Sequence, residues 1–160
     1  MCAPATSFAV APPAHLRAHL HAQDELDEDR ATNDAERHTR TLLWDATDLS
    51  NPRLTGAHTA EVMSIDHNLY TKGDVAYLAN YCSGLRVLKS TSVGQGTAPE
   101  VAYFDTADYC DDTTAGGVIF QGAWSNYPYF ASGNIVLSNI ETGLFMLKLN
   151  AAGEAKLAVA

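Results

Sequence analysis

The chain has 160 residues, of which 46% are apolar and 18% charged. That composition describes a folded domain with a real core rather than a disordered segment. Nineteen acidic residues against ten basic ones give a formal net charge of -9. This argues against nucleic acid as a partner, since phosphate recognition rests on Lys and Arg. No run of 18 apolar residues occurs, so no membrane-spanning helix is expected.

Residues 1–40 are rich in Ala, His, Asp, Glu and Arg and poor in β-branched residues. Ala14 to His21 suits a helix by propensity, and Gln23 to Arg40 reads as a charged arm with little to bury. The expectation is therefore a helical or disordered N-terminal arm. His15 and His19 are four apart and would share a helix face, as a metal pair would. No further ligand is spaced to complete a site, and solvent-facing histidines are the expectation. No secretory signal is read, because Phe8 to Ala11 is broken by Pro12-Pro13 and lacks a basic flank. The expectation is a cytoplasmic chain or one lacking its true start.

At Thr41 the character changes. Thr41–Ala46 and Arg53–His58 read as short strands around a turn at Asp48–Pro52. Val62–Thr71 reads as one strand and Lys72-Gly73-Asp74 as a tight turn. Val75–Tyr81 reads as a buried strand, Cys82-Ser83-Gly84 as a turn, and Leu85–Leu88 and Glu100–Asp105 as two more strands. A second series runs from Val118 to Leu149 and supplies three strands.

The two series repeat each other. Leu78-Ala79-Asn80-Tyr81 falls on Leu137-Ser138-Asn139-Ile140, Gly84 on Gly143, and Leu88 on Leu147, at an offset of about 58–59 residues. Propeller blades repeat at roughly 40–50 residues. The excess lies in the Asp/Thr/Gly-rich run from Thr106 to Gly117. The expected fold is all-β, a partial β-propeller of four-stranded antiparallel meander blades over residues 41–150. About two and a quarter blades are counted, with a frayed tail over 151–160. Such blades need neighbours on both faces, so either further blades of a larger propeller or self-association is expected.

The run Leu43-Trp44-Asp45, Asp66-His67-Asn68-Leu69-Tyr70, Asn80-Tyr81-Cys82-Ser83-Gly84-Leu85-Arg86-Val87-Leu88, Glu100–Thr106 and Gly122-Ala123-Trp124-Ser125-Asn126-Tyr127-Pro128-Tyr129-Phe130, with Gly143-Leu144-Phe145, resembles the C-terminal part of the choice-of-anchor B family. The resemblance covers roughly residues 41–149. It implies LVIVD-type β-propeller repeats and a secreted or surface-anchored protein. Family members have more blades upstream and a signal peptide, and some carry a C-terminal anchor. The family's activity is not well defined, so the resemblance bears on architecture and location more than on chemistry.

Candidate site residues fall into four groups. Asp66, His67, Asn68, Trp124 and Asn126 stand at equivalent places on the first strand of each blade, which lines the channel of a propeller. His67 with Asp66 could hold a cation or act as a base; backbone hydrogen bonds that fix the blade edge are the expected role. Asp105, Asp108, Asp111 and Asp112 offer hard oxygen ligands of the kind Ca²⁺ selects, but a solvated acidic loop is expected. Trp124, Tyr127, Tyr129 and Phe130 form an aromatic set. It suits glycan or protein recognition if exposed, though packing between blades is expected. Cys82 and Cys110 form a disulfide if the 106–117 insertion folds back over the turn; otherwise they are two unrelated thiols. No G-x-S-x-G elbow, P-loop, dinucleotide fingerprint or HExxH occurs.

The functional expectation is a non-enzymatic propeller fragment that binds or scaffolds, with no cofactor. The alternatives are a metal-binding or hydrolytic propeller with its site at Asp66 and His67, and a remnant without independent function.

Overall fold

The computed structural model describes residues 6–11, 18–110, 118–150 and 157–159, the first and last of these segments through their backbone. The described chain is all-β and antiparallel. Its twelve strands form three four-stranded sheets, none of them closed into a barrel. The first sheet contains β1 (Thr6–Ala11), β2 (His19–Asp24), β3 (His38–Asp45) and β4 (Arg53–Met63) in that order. The second contains β5 (Asn68–Lys72), β6 (Val75–Ala79), β7 (Leu85–Lys89) and β8 (Glu100–Phe104). The third contains β9 (Ala123–Tyr127), β10 (Asn134–Asn139), β11 (Gly143–Leu149) and β12 (Leu157–Val159). In each sheet consecutive strands pair, as in a meander, and β5 lies between β1 and β9. The first strands thus form a common inner edge, as in successive propeller blades.

The sheets stack through alternating side chains. On β6, Ala76 and Leu78 face the first sheet and pack with Leu43, Leu69, Leu88, Val93 and Ala98. Tyr77 and Ala79 face the third sheet and pack with Leu85, Val87, Ala102, Ala123, Ile135, Leu137 and Leu147. A period of two on a central strand thus builds two cores from one sheet. The middle sheet is covered on both faces, which is why Val75–Tyr81 reads as a continuous apolar run.

The repeat marks how each sheet is tied to the one before. Asn80 and Asn139 follow β6 and end β10, and both are buried. Gln23 of the first sheet donates to Asn80 Oδ1 at 3.1 Å. Asn139 Nδ2 donates to the carbonyl and hydroxyl of Thr106, just past β8, at 3.3 and 2.9 Å. An unpaired buried amide is costly, so each Asn fixes the angle between neighbouring sheets.

Four sequence expectations are corrected. The helix expected over Ala14–His21 is replaced, from His19 on, by β2, and residues 14–17 lie outside the described residues. Helix propensity yields here to pairing: His21 stands opposite Leu43 and Leu20 opposite Trp44, and His21, Ala22 and Gln23 become buried. The segment expected as a disordered arm is an ordered crossing. It includes a single 3-10 turn over Asp34–Arg37, capped by Asn33, whose Oδ1 accepts from Glu36 N at 3.2 Å. The strand expected over Val62–Thr71 is broken: β4 ends at Met63 and β5 starts at Asn68. Between them Ser64 N donates to Arg37 O, and Ser64 Oγ donates to Asn80 O. Finally, the count of strands is four, four and four rather than two, four and three. The N-terminal residues supply two strands, and β12 adds a fourth to the third sheet within the expected frayed tail.

Candidate functional site

Two of the channel-side candidates, His67 and Trp124, meet at one end of the inner edge with Glu25 and Tyr81, where parts of all three sheets come together. Glu25 leaves β2, His67 precedes β5, Tyr81 follows β6, and Trp124 lies on β9. His67 Nδ1–H donates to Glu25 Oε1 at 2.6 Å, and the Tyr81 hydroxyl donates to the same oxygen at 2.6 Å. The imidazole lies 4.4 Å from the Trp124 ring and 4.9 Å from the Tyr81 ring. Tyr81 also meets Phe120 edge-on at 5.4 Å. Burial and the Glu25 carboxylate push the Tyr81 phenol well above its ordinary range, so it is a donor and not a nucleophile. With Nδ1 committed to Glu25, the imidazole is held in one orientation.

Tyr81 has φ of +38°, a left-handed conformation that bulky residues rarely adopt. It is held there by paired backbone bonds to Ala123, with N to O distances of 3.0 and 2.8 Å. This bridge couples the second sheet to the third. The adjoining Gly122 has φ of +98°, and a Cβ there would stand 2.4 Å from Tyr81 O. Only glycine fits this crossing.

Next to this cluster lies the densest negative charge among the described residues. Asp24 ends β2, Glu25, Asp27, Glu28 and Asp29 occupy the turn after it, and Asp66 lies in the β4–β5 connection, where the charges of Asp27, Asp24 and Glu25 act on it. Asp66 is 0% exposed and Glu28 1%. Among the described residues neither oxygen of Asp66 nor Asp27 Oδ1 has a hydrogen-bond partner, and the Glu28 carboxyl has only its own backbone N–H as a donor. Glu28 is within reach of Asp27, but a bond between two carboxyl groups exists only when one holds a proton. Arg40 contacts Asp27 at a loose 3.7 Å, through a largely exposed side chain. Desolvation first, then the charge of Asp66 and Asp27, raises the Glu28 carboxyl far above its usual range. Desolvation, then Asp27, Asp24 and Glu25, raises Asp66 likewise.

The other candidates are dispersed. Asn126 is buried and its Nδ2 donates to Tyr77 O at 3.1 Å, so it ties the third sheet to the second. Asn68 opens β5, with its Oδ1 buried and unbonded. The aromatic set expected between blades is divided and half exposed instead. Trp124, 48% exposed, belongs to the His67 end. Tyr127, Tyr129 and Phe130 cluster at the opposite end of β9, where the Tyr129 hydroxyl donates to Thr71 O at 2.7 Å. The exposure follows from β9 lying in the last sheet, with no further sheet over that face. Asp105 and Asp108 are exposed, and Asp105 Oδ1 accepts from Ala107 N at 2.8 Å. Asp111, Asp112 and His15 lie outside the described residues. Cys82 and Cys110 are joined by a disulfide with Cα atoms 5.8 Å apart, packed with Ala107 and Ile119. His19 lies on β2 rather than on a helix.

Among the described residues, no three His, Cys, Asp or Glu side chains converge closely enough to form a ready-made metal shell. No helix is long and apolar enough to cross a membrane. A groove of about 640 Å³ separates β4 from β8. Its one buried cation, Arg86, is committed to Glu100 at 3.3 Å and to Ser83 O at 2.9 Å, and lies over the Tyr103 ring. Glu25, Glu28 and Tyr81 were not singled out from the sequence. The first two sit in a charged run whose burial depends on a loop closing over Asp66, and composition does not reveal that.

No family model matches the chain, and no curated protein matches it.

Proposed function

We propose that this chain is a run of consecutive blades from a larger, secreted or cell-surface β-propeller of the choice-of-anchor B type, and that it acts by binding and scaffolding rather than catalysis. The observation that carries the reading is the uncovered face of the third sheet. Tyr127, Val136 and Met146 align across three of its four strands, with Leu144 one pair along. Leu144 is 67% exposed and Met146 39%. The repeat-equivalent residues of the second sheet, Leu85 and Val87, are both 0% exposed, because the third sheet covers them. A further four-stranded sheet seated in the same way would bury Leu144 and Met146, each burial contributing about 1.5–3 kcal/mol. The occupant is therefore a sheet of the same repeat. The Cys82–Cys110 disulfide supports an oxidising compartment.

Glu25 Oε1 accepts from both His67 and Tyr81, which ties the first sheet to the second at one carboxylate. The test is sedimentation of the purified 160-residue chain with thermal unfolding. The expected result is self-association at micromolar concentration that Leu144→Glu with Met146→Glu abolishes. A wild-type chain that stays monomeric and melts cooperatively would mean that the open face needs no cover, and the reading would fail.

A further inference from the structure

We propose that the junction between the first and second sheets is an acid-operated joint, which opens when His21 takes up a proton and leaves the second and third sheets together. The two junctions differ in composition. The second and third sheets meet through an apolar core that includes Tyr77, Leu85, Val87, Ile135, Leu137 and Leu147, and no histidine lies in it. The face that the first sheet turns toward the second carries His21 and Gln23 on β2, Thr41 and Leu43 on β3, and His58 opposite Thr41 on β4. Of these only Leu43 joins an apolar core of the second sheet.

His21 is 0% exposed, and its Nε2 lies 3.0 Å from Ser90 Oγ, just past β7. Ser90 is itself fixed, since its N donates to Asp74 O at 2.7 Å. His21 Nδ1 is buried and has no hydrogen-bond partner among the described residues. A neutral imidazole fits this site by donating Nε2–H to Ser90 and leaving Nδ1 a lone pair. A proton on Nδ1 would place a charge and an orphan donor inside the junction. His19, two residues earlier on the same face, packs on the β7–β8 connection, where a Cβ on Gly94 would stand 3.0 Å from its Nε2. That Nε2 is buried and unpaired too.

No carboxylate compensates. Asp45 stands opposite His19 on β3, and Glu100 acts on His58 beside Arg86, yet among the described residues none of these three histidines makes an ion pair. Lys89, next to Ser90, is exposed, and β1 carries no titratable residue. Burial first, then the charges of His19 and His58, hold the His21 imidazole down to about 4. Above its ordinary value of 6.5 the imidazole is neutral folded or unfolded, and the junction is intact. As pH falls below that value the unfolded chain takes a proton that the folded junction refuses, and stability is lost down to about pH 4. Opening the joint accepts the proton at the cost of Leu43 and of the polar ties from Gln23 and Glu25, and spares the apolar core between the second and third sheets.

The experiment combines an NMR titration of the histidines in the full chain with urea unfolding and hydrogen exchange. The His21 ring signal should not titrate between about pH 8 and pH 5, and a midpoint between about pH 6 and 7 overturns the proposal. From about pH 7.5 to 4.5 the folding equilibrium of wild type should fall by roughly 30- to 100-fold relative to that of His21→Gln, which keeps a partner for Ser90 but does not titrate. Asp66 and Glu28, whose contribution runs the other way, are present in both chains and cancel in that difference. A slope shared by wild type and His21→Gln overturns the proposal. Ser90→Ala should lower stability at both pH values and keep the slope; loss of the slope would assign it to the hydrogen bond rather than to the proton, and would overturn the proposal. Hydrogen exchange, corrected for its intrinsic pH dependence, should show protection of β3 falling at about pH 5 while that of β6 and β10 persists. Equal loss in all three strands would mean global unfolding and no joint. If His21→Gln does not fold, the histidine titration and the exchange pattern of wild type decide.

Discussion

Gly84-Leu85-Arg86-Val87-Leu88 and Gly143-Leu144-Phe145-Met146-Leu147 are the same element in two copies, yet they live in different surroundings. Leu85 and Val87 are completely buried against the third sheet, whereas Leu144 and Met146 face solvent. Leu88 and Leu147, on the opposite face, are both buried, each against the preceding sheet. The copies therefore share their backward contact and differ only in the forward one. Stability is concentrated in the middle sheet, which has a neighbour on each side, and the last sheet holds on by one face.

The glycines that open these strands give the sharpest test. Both are left-handed, with φ of +73° at Gly84 and +90° at Gly143. A Cβ on Gly84 would stand 2.2 Å from Phe104 O, but one on Gly143 would meet nothing within 4 Å. Gly84→Ala must displace β8 and is expected to prevent folding. Gly143→Ala should cost only the backbone strain of a left-handed alanine, about 1 kcal/mol. Leu85→Ala is expected to cost about 2–5 kcal/mol and Leu144→Ala less than about 0.5 kcal/mol. Urea unfolding of the four variants checks this order. Equal losses at Leu85 and Leu144 would mean that the last sheet is covered after all.

The copies also solve the turn before these glycines differently. In the middle sheet Cys82 is bonded to Cys110, closing a loop of 28 residues. The aligned position in the next copy is Glu141, whose Oε2 accepts from Gly122 N at 2.9 Å and from the Tyr109 hydroxyl at 2.7 Å. A covalent staple and a carboxylate clamp do the same work. Replacing both cysteines by alanine should cost about 2–4 kcal/mol. Glu141→Gln keeps an acceptor but loses the charge, and about 1 kcal/mol is expected. If reductant leaves the melting temperature unchanged, the middle turn does not depend on its staple.

A third difference concerns pH, because the first and middle sheets share the buried acids and the last has none. Asp66 and Glu28 have folded-state pKa values raised by burial and by neighbouring carboxylates. Their contribution is fully present below the ordinary carboxylate range, about pH 4, and is lost as pH rises through the raised values. The chain should therefore become less stable from about pH 5 toward pH 8. Glu28→Gln should flatten that profile.

The repeat made the fold class legible and aligned Asn80 with Asn139, but not the ties between sheets that each of them makes. The middle sheet was the easiest to read, because a strand buried on both faces is a continuous apolar run. The first sheet was not legible beyond β3 and β4. Its β2 is His19-Leu20-His21-Ala22-Gln23-Asp24, which has neither alternation nor β-branching and becomes a strand only by pairing with β3. The acids of the candidate site were hidden for the same reason. Glu28 is one of five acids in a turn, and nothing local tells the buried one from the exposed ones. Asp66 was singled out, but for its neighbour His67 rather than for Glu28.

The smallest expected effect tests why the copies differ. The middle copy carries the acidic insertion, and a cation held there would be a second way to make it the more stable one. The exposed Asp108 argues against this, because an exposed carboxylate is already solvated and gains little from an ion. Asp105 is exposed too and already caps its own turn through Ala107 N. Asp108→Asn is therefore expected to change stability by less than about 0.5 kcal/mol, with or without calcium. A larger, calcium-dependent loss would place a cation in the insertion. The forward contact of Leu85 and Val87 would then not be the whole reason that the middle sheet outlasts the last.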